Sequence, residues 1–178
     1  MQKYIGCKMV EAKSCVRVNG KVYDSMPDMD PTKDSIVEVG YKVRYEDGYE
    51  SFSPKAVFEK AYMPIGNNVT ITNDNVIGFI KEIYSTTIGE KTTFVRVTLI
   101  NGFELCETSS CVDPKNYDEK LGVQCCMERI YDKIWHLLGF LLQTAVGGVI
   151  FPSRECMDTE TYEILRGNYG KQKTDLQI

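Results

Sequence analysis

The sequence predicts an α+β protein made of two modules, an N-terminal β-hairpin-plus-helix module and then a helix, an antiparallel β-hairpin and a long C-terminal helix. Two turn motifs support this prediction. Glu46-Asp47-Gly48 and Asn101-Gly102 each follow a run rich in β-branched residues, and such turns need glycine because it tolerates a positive φ. The third observation is the helical spacing of apolar residues between Tyr117 and Thr144, which predicts one long helix.

The first module covers residues 1–63 and is predicted to be rich in strands. We expect a strand from Lys3 to Val10. From Val37 to Tyr45 every second residue is valine or tyrosine, and all but one of the residues between them are charged, which is the pattern of a half-buried strand. Tyr49 to Phe52 is the returning strand of that hairpin. Ser53-Pro54 then predicts a helix with serine as its N-cap and proline at its first position.

The second module is predicted over residues 69–146, after a short linker rich in turn residues. Thr72-Asn73-Asp74-Asn75 is typical of a helix start, and we expect a helix from Asp74 to Tyr84 because isoleucine and valine recur on one side. Residues 147–178 are predicted to be a C-terminal tail outside both modules.

The hairpin of the second module leads into the long helix. Thr93 to Ile100 is a β-branched strand and Phe103 to Thr108 is its partner. Asn101-Gly102 between them is the usual sequence of a type I′ turn. Asp113 followed by Pro114 then predicts a capped helix start.

The long helix carries more apolar surface than a two-stranded sheet can cover. One apolar row repeats with a heptad spacing, and a second row lies beside it, whereas a narrow stripe would suffice. We therefore expect the surplus to be buried against the first module or another subunit, and replacing Ile134 and Leu141 by Glu to break such an assembly. The heptad row consists of Val123, Met127, Ile130, Ile134, Leu137 and Leu141.

Composition is that of an ordinary globular protein. The 178 residues are 43% hydrophobic and 26% charged, with a formal net charge of -4. No run of Lys or Arg suggests a duplex nucleic acid partner, and no apolar run approaches the ~20 residues that cross a bilayer. Seven cysteines, an odd number, and no signal-like segment lead us to expect reduced thiols in a cytoplasm.

Residue patterns typical of catalysis or metal binding are scarce. His136 is the single histidine, and a lone helical histidine is more often a surface residue than a catalyst. Cys106 and Cys111 lack the further ligands of a structural zinc site. The carboxylates of Asp113 and Asp118 are better explained as helix caps than as an acid–base pair. We expect no catalytic residue, no metal and no cofactor.

A binding site is the remaining possibility. A helix start directly after a strand can accept anionic groups through free N–H groups, aromatic rings can stack on a base, and arginines can reach a phosphate. Each residue alone also has a structural explanation, and Asn116 has an equal claim to capping its own turn. The candidate ligand-binding residues are Asn101, Phe103, Ser110, Asn116, Arg129 and Arg96.

Three motifs between residues 72 and 143 occur together: Asn101-Gly102-Phe103, then Ser110-Cys111-Val112-Asp113-Pro114 with Asn116-Tyr117-Asp118, then Lys133-Ile134-Trp135 with Gly139-Phe140-Leu141-Leu142. Their combination resembles a tailed-phage protein family that includes the type-one Thoeris anti-defence proteins. Those proteins are sponges for cyclic ADP-ribose isomers, and related members hold cyclic oligonucleotides. The resemblance implies a cyclic nucleotide ligand and a homo-oligomer assembled through the helix of residues 117–144.

The chain departs from this family at the start of the long helix. Family members tend to carry basic residues there, whereas this chain has Val123, Gln124 and Met127 and keeps Arg129. Fewer cations weaken phosphate binding, because charge-assisted contacts are the strong ones. Either the ligand differs, or residues such as Arg96 compensate, or this chain binds no nucleotide.

The function that this resemblance implies is phage counter-defence in the bacterial host cytoplasm, by sequestering a cyclic nucleotide second messenger without cleaving it. Such a sponge is not an enzyme. One alternative is a structural or interaction protein that assembles through its long apolar helix. The other alternative is an enzyme that degrades such nucleotides.

Overall fold

The computed structural model describes residues 1–28, 35–66 and 69–149. Residues 1–148 form one compact unit, to which every element described below belongs. That unit holds two antiparallel sheets and three α-helices in its described part, so the α+β prediction is confirmed. The tail predicted over 147–178 lies almost entirely outside the described residues.

The first sheet has four strands in the order β2-β1-β3-β4. The predicted hairpin of β3 and β4 is confirmed, and its turn is closed by the Gly48 N–H, which donates to the Tyr45 carbonyl over 2.9 Å. Gly48 has φ +82°, the left-handed conformation that glycine adopts without strain. The strands are β1 Glu11–Val18, β2 Lys21–Tyr23, β3 Val37–Arg44 and β4 Glu50–Pro54.

Two predictions for this module are wrong. Residues 3–10 form no strand in the described structure, and the side chains of Tyr4 and Ile5 are 85% and 99% exposed. A strand-forming composition has little effect without cross-strand neighbours to pack against. Ser53 is not a helix cap either, because β4 stays paired with β3 through Pro54. Pro54 is therefore the N-cap of α1, Lys55–Ala61.

The second sheet has three strands in the order β5-β6-β7, not the two of a simple hairpin. The helix predicted from Asp74 to Tyr84 ends at Gly78, and the residues from Ile80 onward form β5 instead. Isoleucines three residues apart fit a helix, but the β-branched residues that follow pair with β6 along their whole length. The elements are α2 Asn73–Gly78, β5 Ile80–Ile88, β6 Thr92–Leu99, β7 Glu104–Ser110 and α3 Glu119–Gly147.

The predicted start of α2 is confirmed. The Thr72 hydroxyl accepts the Asn75 N–H over 3.3 Å, and the Asn75 side-chain oxygen accepts the Thr72 N–H over 2.9 Å. This reciprocal pair is a capping box, with asparagine in the place usually taken by glutamate or glutamine.

The turn between β6 and β7 is not of type I′. A type I′ turn needs a positive φ at both central residues, but among the described non-glycine residues only Asn19 and Val69 have one. Instead the Gly102 N–H donates to the Leu99 carbonyl over 2.9 Å, and Gly102 follows with φ +86°. This is a three-residue loop, and it lets the β-branched Ile100 keep a negative φ.

Helix α3 covers one face of the second sheet and forms the main core with it. Every second residue of β6 is buried against the helix, which itself contributes residues at steps of four. The predicted long helix is thus confirmed, with ends two and three residues from those expected for 117–144. The buried residues are Val95, Val97 and Leu99 of β6 with Val76, Cys126, Ile130, Ile134 and Leu138 of the helices.

The heptad row is buried only in part. Ile130 and Ile134 are fully buried, whereas Leu137 and Leu141 are 36% and 39% exposed. The 29-residue helix is roughly 43 Å long and an eight-residue strand roughly 26 Å, so α3 extends beyond the sheet. We call its exposed apolar residues Trp135, Leu137, Phe140 and Leu141 the apolar end of α3.

Candidate functional site

The connection from β7 to α3 forms a corner with two separate caps. The Asp113 carboxylate accepts the Lys115 N–H over 3.0 Å and begins a single 3-10 turn, Pro114–Asn116. The Asp118 carboxylate then accepts the N–H groups of Lys120 and Leu121, over 2.8 and 3.1 Å, and begins α3. The predicted start at Asp113 therefore gives only the short turn.

These caps change the expected electrostatics of the corner. A helix start attracts an anion through its free N–H groups, but Asp118 already occupies two of those groups in α3. Its carboxylate also brings a negative charge to the place where a phosphate would lie. The corner is therefore better suited to a neutral, hydrogen-bonding part of a ligand than to the phosphate itself.

A small cavity of about 150 Å³ lies at this corner. Most ligand sites have volumes of about 300–1,000 Å³, so the cavity of one chain holds a base or a ribose but not a whole cyclic dinucleotide. Its lining residues, in the described part of the chain, are Ser109, Ser110, Cys111, Asn116, Tyr117, Asp118, Leu121, Gly122 and Cys125.

Tyr117 fixes the corner to the sheet. Its hydroxyl lies 2.7 Å from the Thr87 hydroxyl and 2.9 Å from the Thr93 hydroxyl, so it joins the corner to both β5 and β6. Thr93 is fully buried. Tyr117 thus positions the wall of the cavity.

Ser110 and Asn116 are the two predicted ligand-binding residues that the fold brings together, because both line the cavity. The Ser110 hydroxyl lies 2.8 Å from that of Thr92, on the adjacent strand. Asp113 provides the cap of the 3-10 turn, and the Asn116 side chain has no hydrogen-bond partner among the described residues. The capping role considered for Asn116 therefore belongs to Asp113.

Asn101 and Phe103 lie at the other end of the same hairpin. Ser110 pairs with Thr92 at the start of β6, whereas Asn101 follows the end of that strand. Seven strand rises separate these ends, roughly 23 Å. The Asn101 side-chain oxygen accepts the Phe103 N–H over 3.0 Å, and Phe103 is 52% exposed. One chain does not bring these two residues to the cavity.

The two arginines are also apart from each other. Arg96 alternates with buried residues of β6, so it lies on the outer face of the second sheet, the face away from α3. Its guanidinium is 5.4 Å from the centre of the Tyr84 ring. Arg129 is on α3 and is hydrogen-bonded to Glu107, which faces the helix from β7.

Glu107 is the centre of an ion triad that sequence reasoning missed. It accepts hydrogen bonds from Arg129, over 3.0 Å, and from Lys133. Arg129 also donates to the Thr108 carbonyl over 2.5 Å. The sequence signal that could have predicted the triad is a carboxylate on the side of β7 that faces α3, together with two cations four residues apart on that helix. Arg129 is thus already engaged within the chain.

The ion triad predicts an acid-sensitive contribution to stability. The hydrogen bond from Lys133 is the main cause that lowers the pKa of Glu107. Partial burial of the carboxylate raises this pKa, and Arg129 lowers it further, so that the net shift is downward. Because the pKa of Glu107 is lower in the folded chain, the triad stabilises the fold above the ordinary glutamate value of about 4.3 and ceases to do so as pH falls through the lower value.

We expect Glu107→Gln to lower the melting temperature near neutral pH and to have a smaller effect near about pH 3.5. Circular dichroism melts of both proteins at the two pH values test this. Glu104→Gln is the control, because Glu104 is exposed and 3.8 Å from its partner Arg96. A difference in melting temperature that is the same at both pH values would contradict the expectation.

Val123 and Met127 lie on the first turns of α3, where the resemblance led us to expect basic residues. Both side chains pack against the main core and are partly buried. A lysine or arginine at either position would have to move its charge out of that contact. The absence of a lysine or arginine at these two positions is therefore linked to how α3 packs on the sheet.

Among the described residues, no group of three or more His, Cys, Asp or Glu side chains could hold a metal ion. His136 is exposed on α3 and is not among the residues that line the cavity. The helices of the described part are too short or too polar to cross a membrane.

Comparison with known proteins tests the resemblance to a phage protein family. No curated protein and no solved structure matches the chain. A family model does match residues 71–146, which include the second sheet, the corner and nearly all of α3. The resemblance to a tailed-phage protein family is thereby confirmed: the segment from residue 71 to residue 146 is similar to the phage protein (N4 Gp49/phage Sf6 gene 66) family.

Proposed function

We propose that this protein is a phage counter-defence protein that sequesters a cyclic nucleotide signal in the bacterial host cytoplasm and leaves it intact. The observation that carries the proposal is the cavity at the corner, which lies inside the segment matched by the phage family. Ser110 and Asn116, two residues expected to bind a ligand, line that cavity from β7 and the 3-10 turn.

The chemistry of the cavity favours the base or ribose end of a nucleotide. Its described lining offers hydroxyl groups and one amide, which can pair with base edges and sugar hydroxyls. It includes no histidine, lysine or arginine. The phosphates would then face outward, toward cations of the corner such as Lys91, whose ammonium donates over 3.1 Å to the carbonyl of Val112, the residue after the lining residue Cys111.

The same lining supports sequestration over hydrolysis. Two cysteines and Asp118 are present, but a histidine that could act as general base is not among the described lining residues. Binding without bond cleavage requires only the hydrogen bonds and the shape of the cavity.

A homo-oligomer through the helix of residues 117–144 is part of the proposal. The cavity of one chain is too small for a whole cyclic nucleotide, so a second copy would have to supply the rest of the site. The apolar end of α3 offers a surface for that contact, because Phe140 is 69% exposed and Trp135 is 39% exposed. Burial of such side chains is the usual driving force of association.

A non-catalytic interaction protein is the second candidate, and the same exposed apolar end favours it. In that case the surface would bind a protein of the host or the phage and the cavity would have no ligand. The two candidates differ in whether a nucleotide stabilises the fold, since ligand that binds only the native state raises its melting temperature.

The direct test is recovery of bound nucleotide. The protein is incubated with cyclic ADP-ribose isomers and with cyclic di- and trinucleotides, freed of unbound ligand, and denatured by heat. We expect one of these compounds to be released unchanged and identified by chromatography. Release of a linear product would identify an enzyme. Retention of nothing from the whole panel would refute the sponge and leave the interaction protein as the better candidate.

Variants locate the site in the same assay. Asn116→Ala should weaken retention about 2- to 12-fold, the effect of losing one hydrogen bond of ~0.5–1.5 kcal/mol. Asn101→Ala removes the same amide at the far end of the hairpin and should leave retention unchanged. The opposite result would place the ligand at the β6–β7 turn.

A further inference from the structure

We propose that the free edge of β5 pairs with β5 of a second copy of this chain in antiparallel orientation. Two three-stranded sheets would then become one continuous sheet. This interface uses backbone hydrogen bonds of residues on β5 and is independent of the apolar end of α3. It therefore stands or falls separately from the proposed function.

Strand β5 is an open edge in the part of the chain that the structure describes. It lies first in the order β5-β6-β7, and its backbone is paired with β6 on one side only. Among the described residues, none is hydrogen-bonded to the backbone on its other side. The side chains are exposed on both faces, with Ile83 at 51%, Tyr84 at 48% and Ile88 at 53%. A long exposed edge with apolar side chains is a ready template for another strand.

The other sheet edges are protected in ways that β5 is not. In the first sheet, β2 has three residues, and β4 has five and ends in Pro54. In the second sheet, the other edge strand is β7, where the Thr108 carbonyl accepts Arg129 from α3. Short strands, proline and covering side chains are among the usual protections of an edge, whereas on β5 the bulge and the charged residues Lys81 and Glu82 are confined to the first residues of the strand.

A second copy can pair with this edge along its whole regular run without opposing like charges. A bulge separates Ile80 from Glu82, and the residues from Glu82 to Ile88 then pair regularly with β6. With a two-fold axis at Ser85, the centre of this run, the two copies pair along its whole length. The helix-covered faces of the two sheets then lie on the same side. Tyr84 then faces Thr86 of the other copy, Glu82 faces Ile88, and no like charges are opposed.

The joined sheet would carry both copies of α3 on the same face. Each cavity at the corner would remain open, because its lining comes from β7, the 3-10 turn and α3 rather than from β5. If the apolar end of α3 also associates, the chain has two different symmetric interfaces. Two such interfaces generate assemblies larger than a dimer.

Hydrogen exchange at low- and high-micromolar protein concentration tests the interface directly. We expect the amides of residues 80–88 to exchange more slowly at the high concentration, because alternate N–H groups of β5 become bonded to the other copy. Exchange in β5 that does not depend on concentration would overturn the proposal, whether the protein is then a monomer or an oligomer held by α3. Protection that requires a different polypeptide would also overturn it.

Paired substitutions at Ile88 test the register. Because the proposed dimer is symmetric, it contains two pairs in which Ile88 of one copy faces Glu82 of the other. Ile88→Lys should strengthen the dimer by adding two opposite-charge pairs, and Ile88→Glu should weaken it by adding two like-charge pairs. The expected change in the dissociation constant is about 2- to 30-fold in each direction, from two cross-strand charge pairs of ordinary strength. Sedimentation at several concentrations measures it. Equal effects of the two substitutions would refute this register.

Two lysine variants complete the test. Ser85→Lys places two ammonium groups face to face at the two-fold axis and should favour the monomer. Thr108→Lys is the matched control, since Thr108 is an exposed hydroxyl residue on the other edge strand. Circular dichroism confirms that both variants fold. Dissociation by the Thr108 variant and not by the Ser85 variant would overturn the proposal.

Discussion

Replacing Ile134 with glutamate is expected to unfold the protein, whereas Leu141→Glu is expected to leave it folded and to weaken only its association. Both residues belong to one heptad row, and the sequence alone suggests that both substitutions break an assembly. The structure separates them. Ile134 is 0% exposed and lies in the core between α3 and the second sheet, while Leu141 is 39% exposed beyond that core.

The size of the Ile134 effect follows from burial. An unpaired carboxylate in an apolar core costs several kcal/mol after relaxation, which is comparable with the ~5–15 kcal/mol stability of a typical domain. The milder Ile134→Ala should still cost about 2–5 kcal/mol through the cavity it leaves. Leu141 is 39% exposed, so a glutamate there can keep its carboxylate in water, and the fold loses much less than at Ile134.

Circular dichroism melts and sedimentation of the same samples check both expectations. Ile134→Glu should show no cooperative transition, and Leu141→Glu should melt near the unmodified protein but sediment as a smaller species. A folded Ile134→Glu variant would mean that α3 does not pack as described. A Leu141→Glu variant that associates as well as the unmodified protein would remove the apolar end of α3 from the assembly.

Much of the fold could be predicted because it depends on local patterns. The alternation of β3 and β6 and the apolar spacing of α3 each specify an element from neighbouring residues alone. The exception, β5, shows the limit of this approach. Ile80 and Ile83 are compatible with a helix, and only the pairing of β5 with β6, which is not visible in the spacing of these isoleucines, decides for a strand.

The candidate site could be predicted only for residues that are close in sequence and lie at the same corner. Ser110 and Asn116 are six positions apart and meet at one corner. Asn101 and Phe103 are only slightly further from Ser110 in sequence, yet strand β7 separates them from it and places them at the opposite end of the sheet. Arg129 depends on a partner that sequence does not reveal, because Glu107 reaches it from another element.

The two interior glycines of α3 provide the last prediction, because the same substitution should have opposite effects at the two positions. Gly122 is buried where the helix crosses β6, and a Cβ added there would lie 2.7 Å from the Thr93 Cβ. Thr93 is itself fully buried and hydrogen-bonded to Tyr117, so it has no room to move. Gly139 is exposed, and a Cβ there would meet nothing within 4 Å.

Gly122→Ala should therefore destabilise the fold by about 1–3 kcal/mol through overpacking, even though alanine favours a helix. Gly139→Ala should stabilise it by up to about 1 kcal/mol through helix propensity alone. In a chain of this size each kcal/mol shifts the melting temperature by about 2–4 °C, so the variants should fall on opposite sides of the unmodified protein in a thermal melt.

The same substitution should also affect the cavity, because Gly122 is one of its lining residues. The added methyl group of Gly122→Ala would push against Thr93, whose hydroxyl holds Tyr117, so this variant should retain less nucleotide. If Gly122→Ala melts as high as Gly139→Ala, the close contact between α3 and β6 is not the one described, and the shape of the cavity would have to be reconsidered with it.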